Sequence, residues 1–240
     1  MTTTALALFL LSTFVGGVTT GLAGFALGLV VSGVWLHIMT PVESATLIVG
    51  YSLVSQGYGI WQLRHALDWR AVAPYVIGGL FGAPLGTALL AYVTPAAMRI
   101  GIGVFLILYS AYGLARPVFW PGRVGAATEA GIGFLNGLIG GLTGLVGVVI
   151  AAWCHARGFA KDVQRCIFQP VTFAAGAISM ASLAVAGAVT IDTVKLYCLG
   201  VPVLLVGLWS GFRLYGRLDD AAFRKVILAL LFLSGLALLV

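Results

Sequence analysis

The chain has 240 residues, of which 61% are hydrophobic and only 8% charged, with a mean hydropathy of +1.10 and a formal net charge of +6. A water-soluble domain carries about 25% charged residues, so these proportions exclude an ordinary aqueous surface and make the lipid bilayer the solvent. Lys and Arg occur singly or in threes and fours between apolar stretches, a pattern that excludes nucleic-acid binding and reads as membrane topology.

The opening Met1-Thr2-Thr3-Thr4 lacks a basic region, and the apolar stretch after it lacks a small-residue cleavage site. The first hydrophobic segment is therefore expected to stay in the mature protein. Eight such segments follow one another, at about 5–36, 42–63, 71–92 and 97–115, then 126–153, 166–188, 193–212 and 221–240. Only helices and closed barrels satisfy backbone groups in lipid, and the alternation of a barrel strand is absent, so all eight are read as helical. The expected fold is an all-α polytopic integral membrane protein. Trp35, Trp61, Trp69, Trp120 and Trp153 fall near segment ends, where an aromatic belt would lie.

Shifted by 120 residues, the sequence lays Phe14, Gly17, Gly21, Leu22 and Gly24 over Phe134, Gly137, Gly141, Leu142 and Gly144. A shift of 125 lays Gly82 and Gly86 over Gly207 and Gly211, and Ala96-Ala97-Met98-Arg99 over Ala221-Ala222-Phe223-Arg224. Self-similarity of this kind implies duplication. The domain organisation read from it is a first membrane repeat at 1–115, a linker at 116–125 and a second membrane repeat at 126–240.

The first segment of each half is anomalous, because about 32 residues at 1.5 Å each exceed what one crossing needs yet cannot make two. Its middle holds the run Gly16-Gly17-Val18-Thr19-Thr20-Gly21-Leu22-Ala23-Gly24, matched by Gly137-Leu138-Ile139-Gly140-Gly141-Leu142-Thr143-Gly144. Such runs of weak helix formers predict a broken or re-entrant helix. Charge favours re-entry. Eight full crossings would divide the basic residues 8 to 5, whereas two re-entrant hairpins leave Arg99 and Lys195 on one side and the other eleven of thirteen opposite. Each half then crosses an odd number of times, which makes the halves an inverted repeat. Both termini are expected outside and the linker cytoplasmic, in a cell inner membrane.

A helix broken inside the membrane offers backbone N–H groups and a positive dipole end to an anion. Thr19, Thr20 and Thr143 would add hydroxyl donors, beside Gly21, Gly24, Gly141 and Gly144 at the breaks. Close helix packing is the competing account of the glycines. Polar side chains elsewhere within the apolar segments are few: Ser52, Ser55, Gln56, Asn136, Gln169 and Thr172. Ser52, Gln56, Asn136 and Gln169 join the candidate substrate-binding set, with interhelical hydrogen bonding as their alternative role. Glu43, Asp68, Glu129 and Asp192 sit near segment ends as helix caps or coupling carboxylates, and Arg157, Lys161 and Arg165 read as a cytoplasmic basic cluster.

Phosphate-loop, metalloprotease and nucleophile-elbow motifs are absent from the sequence, and Cys154, Cys166 and Cys198 have neither paired nor metal-ligand spacing. The expectation is a non-enzyme with no cofactor and no metal. Its partners would be a small anionic substrate and the bilayer, and a homo-oligomer is compatible with the sequence.

The paired Gly-rich openings at 16–28 and 137–147, the Thr40-Pro41 step and the entry Leu67-Asp68-Trp69-Arg70 resemble the sulfite exporter TauE/SafE family over nearly the whole chain. Val189-Thr190-Ile191-Asp192 departs from that entry in the second half, and Ala160-Lys161 from Thr40-Pro41. The resemblance implies a permease for small sulfur-containing anions such as sulfite or organosulfonates, working by alternating access. The alternatives are an anion channel or a non-transporting membrane assembly factor.

Overall fold

A computed structural model of the chain describes residues 3–65, 67–89, 100, 101, 103, 104, 107, 108, 110, 111, 113, 124–143, 147–185 and 187–239. Among these residues every regular element is a helix: α1 (Thr3–Ala23), α2 (Leu27–Ile38), α3 (Pro41–Leu63), α4 (Trp69–Leu89), α5 (Ala126–Thr143), α6 (Val148–Ala156), α7 (Lys161–Val185), α8 (Ile191–Tyr215) and α9 (Asp220–Leu239). The described residues between 100 and 113 are helical as well. Among the described residues three helices, α1, α7 and α8, of 21, 25 and 25 residues, are long and apolar enough to cross a membrane. The expected linker lies outside the described residues up to 123, as does Trp120.

Helix starts are set by capping chemistry. Thr40 and Glu43 form a capping box around Pro41: Glu43 N–H donates to Thr40 Oγ1 at 3.3 Å and Thr40 N–H donates to Glu43 Oε2 at 3.0 Å. Asp68 Oδ1 accepts from Arg70 N–H at 3.0 Å to open α4, and Thr190 Oγ1 accepts from Thr193 N–H at 3.2 Å to open α8. The second-half departure from Asp68 therefore keeps the cap while changing the residue. Glu43 and Asp68 are caps, as one of the two expectations held.

The first segment of each half is broken, as its length required. Gly24 adopts φ 94°, a left-handed conformation that favours glycine, and its N–H donates to Thr20 O at 2.6 Å. The chain then reverses. Trp35 Nε1 donates to Ser12 Oγ at 2.9 Å, and its ring stacks on Phe9 at 5.0 Å, so late α2 lies along early α1 as a helical hairpin. In the second half Gly147 has φ 101°, and Asn136 reaches both Gly147 and Ile150, which brings the start of α6 back onto α5. The break sits at 24–26 and begins at Gly24, the last residue of the Gly-rich run.

Packing explains why α1 stays helical through the earlier glycines of the run. The described chain forms two compact units, one of Met1–Trp61 with Gly176–Leu218, the other of Gln62–Ala175 with Asp219–Val240. In the first unit α1 crosses α8 glycine on glycine. A Cβ on Gly17 would lie 2.8 Å from Leu204 O, and one on Gly21 would lie 2.5 Å from Leu208 O and 2.9 Å from Gly211 Cα. In the second unit α4 crosses α5 in the same manner, with Gly78, Gly82 and Gly86 against the backbone of Ala130, Phe134 and Leu138, and Gly137 against Gly79. These include glycines that recur between the two halves of the sequence. Within each unit, the first helix of one half packs on the third helix of the other. Helix–helix contact thus keeps α1 helical through Gly16, Gly17 and Gly21, overriding their low propensity.

The core of the first unit is aromatic: Phe9, Trp35 and Tyr51 are fully buried, and Tyr51 stacks on Tyr197 at 5.1 Å. Tyr51 OH donates to Leu196 O at 2.8 Å. Trp61 and Trp69 are exposed as a belt requires, but Trp35 is a core residue whose N–H is satisfied by Ser12. Proximity to a segment end misplaced it, because α2 is short and folds inward.

Candidate functional site

The residues singled out from sequence divide into two sets, one in each unit. Thr19, Thr20, Gly21, Gly24, Ser52 and Gln56 belong to the first unit, and Asn136, Gly141, Thr143 and Gln169 to the second.

Around the α1–α2 break, Gln56 is 2% exposed and its Nε2 donates to Gly24 O at 2.8 Å. The carbonyl freed by the left-handed residue is thereby satisfied from α3. Gln56 Oε1 is buried and has no hydrogen-bond partner among the described residues. Thr20 is buried one turn before the break, and its carbonyl accepts from Gly24 N–H. Thr19 Oγ1 donates back into its own helix, 3.0 Å from both Val15 O and Gly16 O. Gly21 is occupied in the crossing with α8, and Ser52 is half-buried. Ala26 precedes α2 with no side-chain cap, so the first-turn N–H donors of α2 are not taken by a capping side chain.

The second break is built differently. Asn136, 1% exposed, accepts through Oδ1 from Gly147 N–H at 3.1 Å and Ile150 N–H at 3.4 Å, which caps the start of α6 from within α5. Its Nδ2 is buried without a hydrogen-bond partner among the described residues. At the 120-residue shift Asn136 corresponds to Gly16, where an added Cβ would meet Val31 at 2.9 Å and Leu27 at 3.0 Å. The same place in the hairpin holds apolar contact in one half and a polar cap in the other. Gly141 and Thr143 belong to α5 by their backbone, the side chain of Thr143 lies outside the described residues, and Gly144 lies outside them altogether.

Along α7, every residue from 164 to 172 is buried. Gln169 is 2% exposed and Thr172 5%, and Gln169 Oε1 and Thr172 Oγ1 have no hydrogen-bond partner among the described residues. Arg165 is 0% exposed, so it does not belong to the solvated basic cluster in which its sequence neighbours place it. The signal was present in the spacing: Arg165, Gln169 and Thr172 stand at i, i+4 and i+7, one face of a helix. Among the described residues no group of three His, Cys, Asp or Glu side chains could hold a metal.

The profile of the family described as Sulfite exporter TauE/SafE matches residues 8–238. A curated relative named "Probable sulfite/organosulfonate exporter TauE", from Cupriavidus necator, is 26% identical over 223 residues, covering 90% of this chain and 86% of that protein. No solved structure matches the chain.

Proposed function

The chain belongs to the sulfite exporter TauE/SafE family of membrane transporters, and from that premise we propose that it is a secondary transporter of small sulfur-containing anions, sulfite or an organosulfonate, working by alternating access. The observation that carries the reading is the buried break between α1 and α2. There a helix N-terminus without a side-chain cap lies next to a left-handed glycine held by the buried amide of Gln56. Uncapped N–H groups and the helix dipole favour an anion without requiring a lysine at the site. Thr20 and Gly24 line this half-site with Gln56, while Thr19 supports the helix behind it. In the second half, Asn136 already takes two of the N–H groups at the start of α6, so that break is a supporting or weaker half-site, together with Gly141, Thr143 and Gly144. Ser52 in the first unit and Gln169 in the second are further polar positions that we propose for substrate contact.

The two halves are proposed to be an inverted repeat in a cell inner membrane, with both termini outside and the linker cytoplasmic. The basic-residue asymmetry and the hairpin form of each first segment support this. The test is uptake of radiolabelled sulfite, taurine and sulfoacetate into proteoliposomes, with and without a pH gradient and a membrane potential. Saturable flux with competition among the anions is expected. Flux that does not saturate would make the protein a channel, and no flux of any sulfur anion would remove the substrate class.

A further inference from the structure

We infer that Glu129 is the carboxylate that binds the coupled proton, and that Tyr75 and Trp153 position it for that role. The role rests on the anion-carrier reading and adds to it the residue through which a pH gradient would drive transport.

Trp153 Nε1 donates to the hydroxyl oxygen of Tyr75 at 3.0 Å, joining α6 to α4 inside the second unit. An indole N–H is a donor only, so the phenolic oxygen accepts there and its own proton is left for another partner. That partner is Glu129, in the first turn of α5, whose side chain is hydrogen-bonded to Tyr75. An ionised carboxylate only accepts, which fixes the direction of this second bond from Tyr75 to Glu129. Tyr75 is 1% exposed and Glu129 is half-buried, so the three groups run from the interior to a carboxylate that protons can reach. The other titratable or charged groups around the contact are Cys154 of α6 and Arg157 just after that helix, with Arg157 Cζ 5.6 Å from the Trp153 ring centre.

Elimination leads to the same residue. The chain has seven acidic residues. Glu43, Asp68 and Asp219 accept from backbone N–H groups at helix starts, Asp192 is exposed and paired with Lys195, and Asp162 is exposed at the start of α7. Among the acidic side chains described, Glu129 is the one that meets a buried side-chain hydroxyl. Protonation replaces a charge-assisted hydrogen bond by a neutral one about half as strong, which loosens a tie between α4, α5 and α6. It also removes a negative charge that stands seven residues before Asn136, on the same face of α5 and about 10 Å along the axis. Asn136 holds the second helix break, so an anion near that break meets less repulsion once Glu129 carries a proton. Linkage makes the effect mutual: proton and anion favour each other's binding and cross together.

Proteoliposomes holding the whole protein, or its Glu129→Gln and Tyr75→Phe variants, would be assayed in two modes: net uptake of radiolabelled sulfite under an acid-outside pH gradient, and sulfite exchange at equal pH on both sides. The protonation of sulfite itself is the same in every sample, so differences between variants report the protein. Glu129→Gln keeps the size of the side chain and an acceptor for Tyr75, and it should lose the stimulation by the pH gradient while keeping exchange. Tyr75→Phe keeps the carboxylate but removes a donor that favours its ionised form, so the pH profile of uptake should move upward. The assignment is overturned if folded Glu129→Gln protein responds to the gradient as the wild type does, or if gradient-driven uptake and exchange fall together, as for a residue that only supports the fold. Wild-type uptake that ignores the pH gradient would overturn it too and leave the carrier reading intact. Should the wild type carry no anion, the carrier reading fails by itself, and infrared titration of the purified proteins decides the proton site. A carboxyl band that is missing from Glu129→Gln and displaced by Tyr75→Phe would keep it, and a band whose pH midpoint ignores Tyr75→Phe would overturn it.

Discussion

Two buried amides, Gln56 and Asn136, hold the two helix breaks, and they do so with opposite atoms. Gln56 donates to the carbonyl of the residue that ends α1, and Asn136 accepts from N–H groups that begin α6. Both residues were legible as polar positions within apolar segments, but their partners lie 32 and 11 residues away and follow only from the hairpin. Arg165 was misread for a related reason: a basic residue near two others at a segment end looks solvated until the helix containing it is seen to be enclosed. Replacing Asn136 by Leu removes the acceptor of two buried N–H groups, which should cost about 1–3 kcal/mol and lower the melting midpoint in detergent by several degrees. Asn136→Asp keeps the acceptor and adds negative charge at a helix N-terminus, so its midpoint should stay within about a degree or two of wild type. Equal losses in the two variants would mean that the cap is not what Asn136 contributes. Gln56→Leu is expected to leave the protein foldable but to reduce maximal sulfite flux by about tenfold or more, because Gly24 O loses its donor and the break shifts; unchanged flux would move the anion site elsewhere.

At the scale of the element, the glycine repeat carried two meanings, and the structure separates them. Gly17, Gly21, Gly207 and Gly211 are contact glycines whose missing Cβ atoms let α1 and α8 touch backbone to backbone, and Gly24 is the conformational glycine that ends α1. Composition alone does not distinguish the roles, because both appear as a small residue in an apolar run. Position along the helix and the identity of the facing element decide, and the facing element lies in the other half of the sequence. Gly211→Val should therefore be severe, since the new side chain meets Val18 O and Gly21 Cα on the facing helix. Overpacking of this kind costs about 1–3 kcal/mol or more, and the expected readout is loss of monodisperse protein on size-exclusion chromatography. Gly131→Ala is the internal control. It lies in α5, is exposed and has nothing within 4 Å of an added Cβ, so it should be neutral or stabilise the helix by up to about 1 kcal/mol. If Gly211→Val purifies like Gly131→Ala, the close crossing is not what those glycines provide.

For the whole molecule, the helical membrane architecture was readable from composition and segment count, because bilayer thickness and backbone satisfaction leave few solutions, whereas the family was legible only as a resemblance carried by the paired Gly-rich openings, the Thr40-Pro41 step and the Leu67–Arg70 entry. Orientation is a different quantity, since it depends on which side each short loop faces. Charge bears on it: were each first segment to return to the side it entered from, eleven of the thirteen basic residues would fall on one face, and Arg99 and Lys195 on the other. Lys195 is exposed and paired with Asp192 at 2.9 Å, so in that topology it would bring its own counter-charge. Single cysteines placed in the 116–123 linker and near residue 3 should therefore label from opposite sides in intact cells, the linker only after permeabilisation. The background for this test should carry Cys198→Ser, because Cys198 is exposed while Cys154 and Cys166 are buried. Labelling of the linker from outside would reverse the orientation. Labelling of both positions from one side would give the first half an even number of crossings, and with it the inverted repeat would fail, because two halves with even crossings enter the membrane in the same direction.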